Sequence, residues 1–237
     1  KWSANHYHWL CDSLPRIEAP LLADAPRRLL LPSIVHQRHP VRASLGAFRE
    51  VEVGVVEKSA APERLSIVSH VAPAGFHRRE LMAAVADRLR KHFGADRAKP
   101  HRHLHITRRL ARIRRLANEE EIAEVLAAQG FETVAFEEMD FGDQVRLAAQ
   151  ARFIAGPHGT GLANIAFMPA GGAVVELRQP ASPGMFLSLA QACGLGHFEL
   201  QCTPARAGVH HHAADIVADP EALDAVLRQA QAWLGRK

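Results

Sequence analysis

The stretch Phe153-Ile154-Ala155-Gly156-Pro157-His158-Gly159-Thr160-Gly161-Leu162-Ala163-Asn164 decides how this chain folds: an apolar run stops in a glycine-rich loop and restarts with helical spacing. The pattern predicts a strand, a tight loop and a helix. Gly159 and Gly161 remove side chains where the backbone turns, and the helix beyond presents unpaired N–H groups and its positive end above the loop. Such a loop suits an anion, most often a phosphate. His158 stands at the turn, able to give a hydrogen bond or a proton to the same anion. The spacing matches neither the P-loop nor the G-x-G-x-x-G fingerprint, so on its own it fits a tight turn with a capping histidine equally well.

Just upstream, His103-Leu104-His105-Ile106-Thr107 alternates as a strand and runs into Arg108 and Arg109, with Arg112, Arg114 and Arg115 close behind. Guanidinium groups at the carboxyl end of a strand lie where open α/β sheets bind ligands, and their planar fork suits phosphate oxygens. The plainer reading is a solvated basic face or a nucleic-acid patch. Asn118 is expected to cap a helix from Glu119 to Ala128 that Gly130 stops. Phe131 to Phe136 reads as the next strand and Phe141 to Ala151 as the next helix, with Gln144 and Arg146 on its surface. Beyond the loop, whose helix ends near Pro169, Gly171 to Leu177 reads as a buried strand. Glu176 near its end is placed to accept hydrogen bonds from two ribose hydroxyls, or is an exposed strand-end carboxylate. Ser182 to Cys193 reads as a helix, Phe198 to Cys202 as a short strand and Pro220 to Leu234 as a terminal helix. His210-His211-His212 does not make a metal site, because consecutive residues in regular structure cannot all face one ion.

The chain opens with Asn5-His6-Tyr7-His8-Trp9-Leu10-Cys11-Asp12-Ser13-Leu14-Pro15-Arg16. As a helix it puts His8 and Asp12 on one face, four apart, and turns Trp9, Leu10 and Leu14 inward. A carboxylate so held is suited to act as a general base; a surface ion pair is the alternative. Strands are expected at Arg28 to Leu31, Val51 to Glu57 and Leu65 to Ser69, with a loose helical segment from Val41 to Phe48. A helix follows from Glu80 to Phe93. Strands alternating with helices indicate an α/β fold with parallel sheets. The polar segment 95–100 divides it into an amino-terminal part, 1–94, and a carboxyl-terminal part, 101–237.

The composition narrows the function. The 237 residues carry 29 Lys and Arg against 25 Asp and Glu, a net charge of +4 with pI ≈ 9.3. That mild excess, concentrated in the arginines, fits an anionic small molecule. Only 6% of residues are aromatic, which leaves no stacking platform for nucleic acid, so no nucleic-acid partner is expected. Three scattered cysteines build no disulfide framework and point to a reducing compartment. No apolar run approaches the ~20 residues of a spanning helix, and no signal peptide is visible. The chain begins at Lys1 rather than Met, which points to sequence upstream.

Taken together, these segments resemble glycosyltransferase family 61, specifically the bacterial branch of capsular polysaccharide biosynthesis proteins. The resemblance is carried by Asn5 to Arg16, Ile106-Thr107-Arg108-Arg109, Arg115-Leu116-Ala117-Asn118-Glu119-Glu120-Glu121, Gly156 to Asn164 and Val174-Val175-Glu176-Leu177, in family order. It implies a GT-B-like enzyme of two Rossmann-like lobes, an acceptor-side lobe over 1–94 and a nucleotide-sugar-binding lobe over 101–237. It implies inverting transfer from a nucleotide-diphosphate sugar, a UDP-sugar as the first choice, to a glycan or glycolipid acceptor in surface or capsular polysaccharide assembly. Carried over, Asp12 would be the base, with His8 orienting it. Arg108 or Arg109 and His158 would neutralise the departing diphosphate, the loop Gly159, Thr160, Gly161 and Leu162 would supply N–H groups, Asn164 would belong to the donor site, and Glu176 would hold the ribose. No Asp-x-Asp pair appears, so no metal or other cofactor is expected. The location implied is cytoplasmic, at the inner face of the membrane through peripheral association. Two departures stand out: the amino-terminal lobe is short, starting at the His-Trp-Leu helix, and position 160 is Thr where the family often has Ala. The alternative reading is a non-catalytic nucleotide-sugar-binding module, or half of a larger enzyme.

Overall fold

The computed structural model describes residues 5–22, 28–73 and 75–236; Lys1 lies outside these. Helix α1 (His6–His8) continues into a π-helical turn, Trp9–Ser13, and then α2 (Leu14–Leu22). β1 (Arg28–Pro32), α3 (Ser33–His36), α4 (His39–Leu45) and β2 (Glu52–Val56) follow, β1 and β2 forming a parallel pair of their own. After α5 (Arg79–His92) come β3 (Arg102–Ile106), α6 (Glu119–Ala128), β4 (Glu132–Val134), α7 (Phe141–Ala149) and β5 (Ala151–Pro157). A 3-10 helix, Thr160–Phe167, leads to β6 (Ala173–Arg178), α8 (Met185–Ala192), β7 (Gly196–Gln201), the short antiparallel β8 (Thr203–Pro204) and β9 (Ile216–Val217), and α9 (Pro220–Leu234).

The principal sheet is parallel and five-stranded, in the order β4-β3-β5-β6-β7. The period of two along each strand sorts side chains to its faces. Leu104, Ile106, Ile154 and Val174 join one core with α5, α7, α8, the 3-10 helix and the amino-terminal Tyr7, Trp9, Leu10 and Leu14. Phe153, Ala155, Val175, Leu177 and Leu200 face the opposite way, onto Ile122 and Leu126 of α6 and Leu223 and Leu227 of α9. Helices on both faces and a parallel sheet give the α/β class expected. Helices that precede residue 95 therefore share a core with the large sheet. The strand order reverses between β3 and β5, a topological switch point, and crevices at the carboxyl ends of such strands bind ligands.

Several expectations need correction. Leu65 to Ser69 forms no strand; Leu65 and Ile67 are exposed, and among the described residues no strand pairs with the segment. The segment after the glycine loop is 3-10 rather than α-helical, its first turn closed by the Leu162 N–H on the Gly159 carbonyl at 3.0 Å. Asn118 makes no side-chain cap; its amide donates to Glu121 Oε2 and to the Ala218 carbonyl, both at 2.8 Å. Gln144 is buried, not on the surface, its Nε2 donating to the carbonyls of Phe136 (2.9 Å) and Met139 (3.2 Å).

Candidate active site

The glycine loop and the arginine-ended strand meet at the switch point. Gly156 lies so close to β3 that a Cβ on it would stand 2.9 Å from the Ile106 carbonyl oxygen. A Cβ on Gly159 would run into the Arg108 guanidinium. The Gly159 backbone is extended, at φ 174°, so glycine is needed there for close approach and not for a left-handed turn. Arg108 in turn donates from Nε to the Arg114 carbonyl and from Nη2 to the Ile113 carbonyl, both at 3.0 Å. It is a strut that holds the 109–115 loop beside the glycine loop. Arg114 is the one non-glycine residue with positive φ among those described, at 57°, a conformation costing about 1–2 kcal/mol in an L-residue. Burial lowers the guanidinium of Arg108 from its usual range; the charge of Arg114 adds to this, while Glu137 and Asp215 oppose it.

His158 is anchored from below. Its Nδ1 lies 2.5 Å from Glu176 Oε1, and Nε2 of His197, on β7, lies 2.9 Å from Glu176 Oε2. Burial works against the ionised carboxyl of Glu176, but the hydrogen bonds from His158 and His197, with their charges, outweigh it and hold the group below its usual value. Glu176 is completely buried, so it is no exposed strand end, and both of its oxygens are taken. With Nδ1 directed at Glu176, Nε2 is the nitrogen His158 has left for a ligand. His197 escaped the reading of the sequence. The signal was faint: it shares a face of β7 with Glu199, which pairs in register with Glu176. Glu176, His197 and Glu199 also bring donor atoms within 4.8 Å of one another, as a metal site would. Arg178 already supplies a cation there, Nη1 lying 2.5 Å from Glu199, so the group reads as a hydrogen-bonded chain.

Of the remaining loop residues, Thr160 and Gly161 are half-exposed, whereas the Leu162 side chain is in the core and its N–H is used within the turn. Asn164 is fully buried and holds the loop from beneath, donating to Gln144 Oε1 (3.2 Å) and the Gly161 carbonyl (3.1 Å). Arg109 turns away from the loop toward Glu138, 3.3 Å off, at the rim of a cavity of about 930 Å³ that Thr107, Asn118, Glu119 and Thr133 also line.

On the amino-terminal side, His8 Nδ1 and Asp12 Oδ2 are 2.6 Å apart and half-exposed. Asp12 lies in the π-helical turn, a local widening that recurs at functional sites. Two rings lie between this pair and His158: Phe186 packs edge-on against His158 (5.1 Å between centroids) and against Tyr7 (5.7 Å), and Tyr7 stands edge-on to His8 (5.2 Å). Tyr7 Oη also meets Nε2 of His77 at 3.0 Å, and burial, against the opposing charge of Asp12, pushes His77 down to about 4, so it is neutral near pH 7.

A glycine loop at the switch point of a parallel sheet, with a His–carboxylate pair beyond the rings of Phe186 and Tyr7, defines an α/β protein whose crevice lies where such folds bind ligands. The model of the family described as Glycosyltransferase 61 matches residues 6–175, and the chain belongs to that family. Membership implies glycosyltransferase activity, with a sugar donor and an acceptor as substrates. No curated protein matches the chain. Among the described residues no helix is long and apolar enough to cross a membrane.

Proposed function

We propose that the protein is an inverting, metal-independent glycosyltransferase that moves a sugar from a nucleotide-diphosphate donor, a UDP-sugar first among them, to a glycan acceptor in surface or capsular polysaccharide assembly. The observation that carries this reading is the interlock of Gly159 with Arg108 beside a His158 backed by Glu176. It provides cationic and N–H groups for a leaving diphosphate without a protein nucleophile. Asp12 is the base that takes the acceptor proton, and His8 orients it. The donor nucleoside lies in the cavity beside Thr107 and Glu119, its ribose near those groups, since Glu176 is completely buried. In the GT-B arrangement this assigns 1–94 to the acceptor side and 101–237 to the donor side, with work at the inner face of the membrane.

The test is a thermal-shift titration with UDP, GDP and CMP, with and without a chelator, on wild type and His158→Ala. One nucleotide diphosphate at about 100 times its Kd is expected to stabilise the wild type by about 2.7 kcal/mol, chelator or not, and His158→Ala far less. Indifference of the folded wild type to all three nucleotides sinks the reading.

A further inference from the structure

Of the arginines behind β3, the one whose surroundings are unexplained by the fold is Arg114. Arg115 is spoken for by Asp215, at 3.0 Å from Nη2, and Arg109 by Glu138. Arg114 has no carboxylate partner among the described residues, and its Nε is buried without a hydrogen bond. Its backbone is held left-handed, and both its carbonyl and that of Ile113 are gripped by Arg108. Arg114 is thus kept close enough for Arg108 to feel its charge, and His211 feels both His158 and Arg114. Cations collected around one loop, one of them on a strained backbone and unpaired, are an arrangement that costs energy until an anion arrives.

We propose that Arg114 is a diphosphate-binding residue of this site, its left-handed backbone aiming the guanidinium at the anion that the Gly159–Gly161 loop receives. Arg108 then acts as the positioning residue that locks the loop carrying it. The proposal rests on the donor reading above for the identity of the anion, though not for the existence of the anion site.

The experiment titrates inorganic pyrophosphate and UDP calorimetrically into wild type, Arg114→Gly, Arg114→Lys and, as an exposed control, Arg112→Ala, with the thermal midpoint of each ligand-free variant. Glycine adopts positive φ without strain, so Arg114→Gly is expected to hold or raise the midpoint while weakening both ligands about 10- to 100-fold. Arg114→Lys keeps a charge but not the fork and falls between, and Arg112→Ala binds as wild type does. Undiminished binding by Arg114→Gly overturns the proposal. A lowered midpoint accompanying the lost affinity overturns it too, by making Arg114 a prop for the loop. Wild type that binds pyrophosphate but no nucleotide sinks the donor reading and leaves Arg114 tested by pyrophosphate alone. Wild type that binds neither overturns both.

Discussion

Two of the histidine–carboxylate pairs among the described residues, nearly equal in length, stand in opposite surroundings. His158 and Glu176 stand 2.5 Å apart with side-chain exposures of 8% and 0%, whereas His8 and Asp12 stand 2.6 Å apart at 32% and 34%. A buried pair with both carboxylate oxygens occupied cannot exchange protons readily with a substrate; it fixes a ring and a charge. A half-exposed pair on a π-helical turn can. On the proposed reading, the difference gives the first pair to holding an anion and the second to acid–base chemistry.

The sharpest way to break this contrast is to neutralise one carboxylate at a time. Asp12→Asn is expected to lower sugar transfer about 10²- to 10⁴-fold while nucleotide binding and the unfolding midpoint stay as they are. Transfer at the wild-type rate would remove Asp12 from the chemistry. Glu176→Gln should do the reverse in kind: its amide replaces an oxygen between two histidines with a donor, so folding suffers by about 1–3 kcal/mol, read from denaturant unfolding. An unfolding curve that superimposes on wild type would show that burial does not distinguish the pairs.

A smaller change sharpens the donor side. Gly159→Ala puts a methyl group where the Arg108 guanidinium lies, so the strut must move and the 109–115 loop with it. Nucleotide affinity is expected to fall about tenfold, a cost near 1.4 kcal/mol, measured by calorimetry. Equal affinity would mean that the loop does not depend on its contact with Arg108.

How much of this was legible follows from the range of the interactions. The strand in the apolar run from Phe153 and the helix at Pro220 to Leu234 are announced by local pattern and stand where the pattern put them, although the strand begins at Ala151, which the pattern gave to the preceding helix. The His8–Asp12 pair was legible for the same reason, being four residues apart. What was not legible depends on neighbours far along the chain. Gln144 looks like a polar surface residue until α7 is seen to lie under the buried Asn164, and Leu65 to Ser69 alternates like a strand but pairs with no strand among the described residues. Glu176 was placed near the right loop, yet its partner His197 is 21 residues on and joined to it only through the register of β6 with β7.

The contrast between fixed and exchangeable groups extends to a histidine outside both pairs. His105 on β3 is completely buried; its Nδ1 meets Thr133 Oγ1 at 3.1 Å, and its Nε2 has no hydrogen-bond partner among the described residues. Burial pushes it down to about 4 from an ordinary value of 6.5. The unfolded chain therefore takes a proton there as the pH falls below 6.5, and the folded chain does not until about 4. Between those values the unfolded state binds more protons, so stability is lost on acidification, by up to about 1.4 kcal/mol per pH unit from this residue. His105→Asn keeps a polar group toward Thr133 and cannot take up that proton. Denaturant unfolding at steps from pH 7 to 4.5 is expected to give a shallower acid slope for the variant than for wild type. Parallel slopes would mean that His105 opens to water and titrates freely, and that burial on β3 does not shield it as burial beneath the glycine loop shields Glu176.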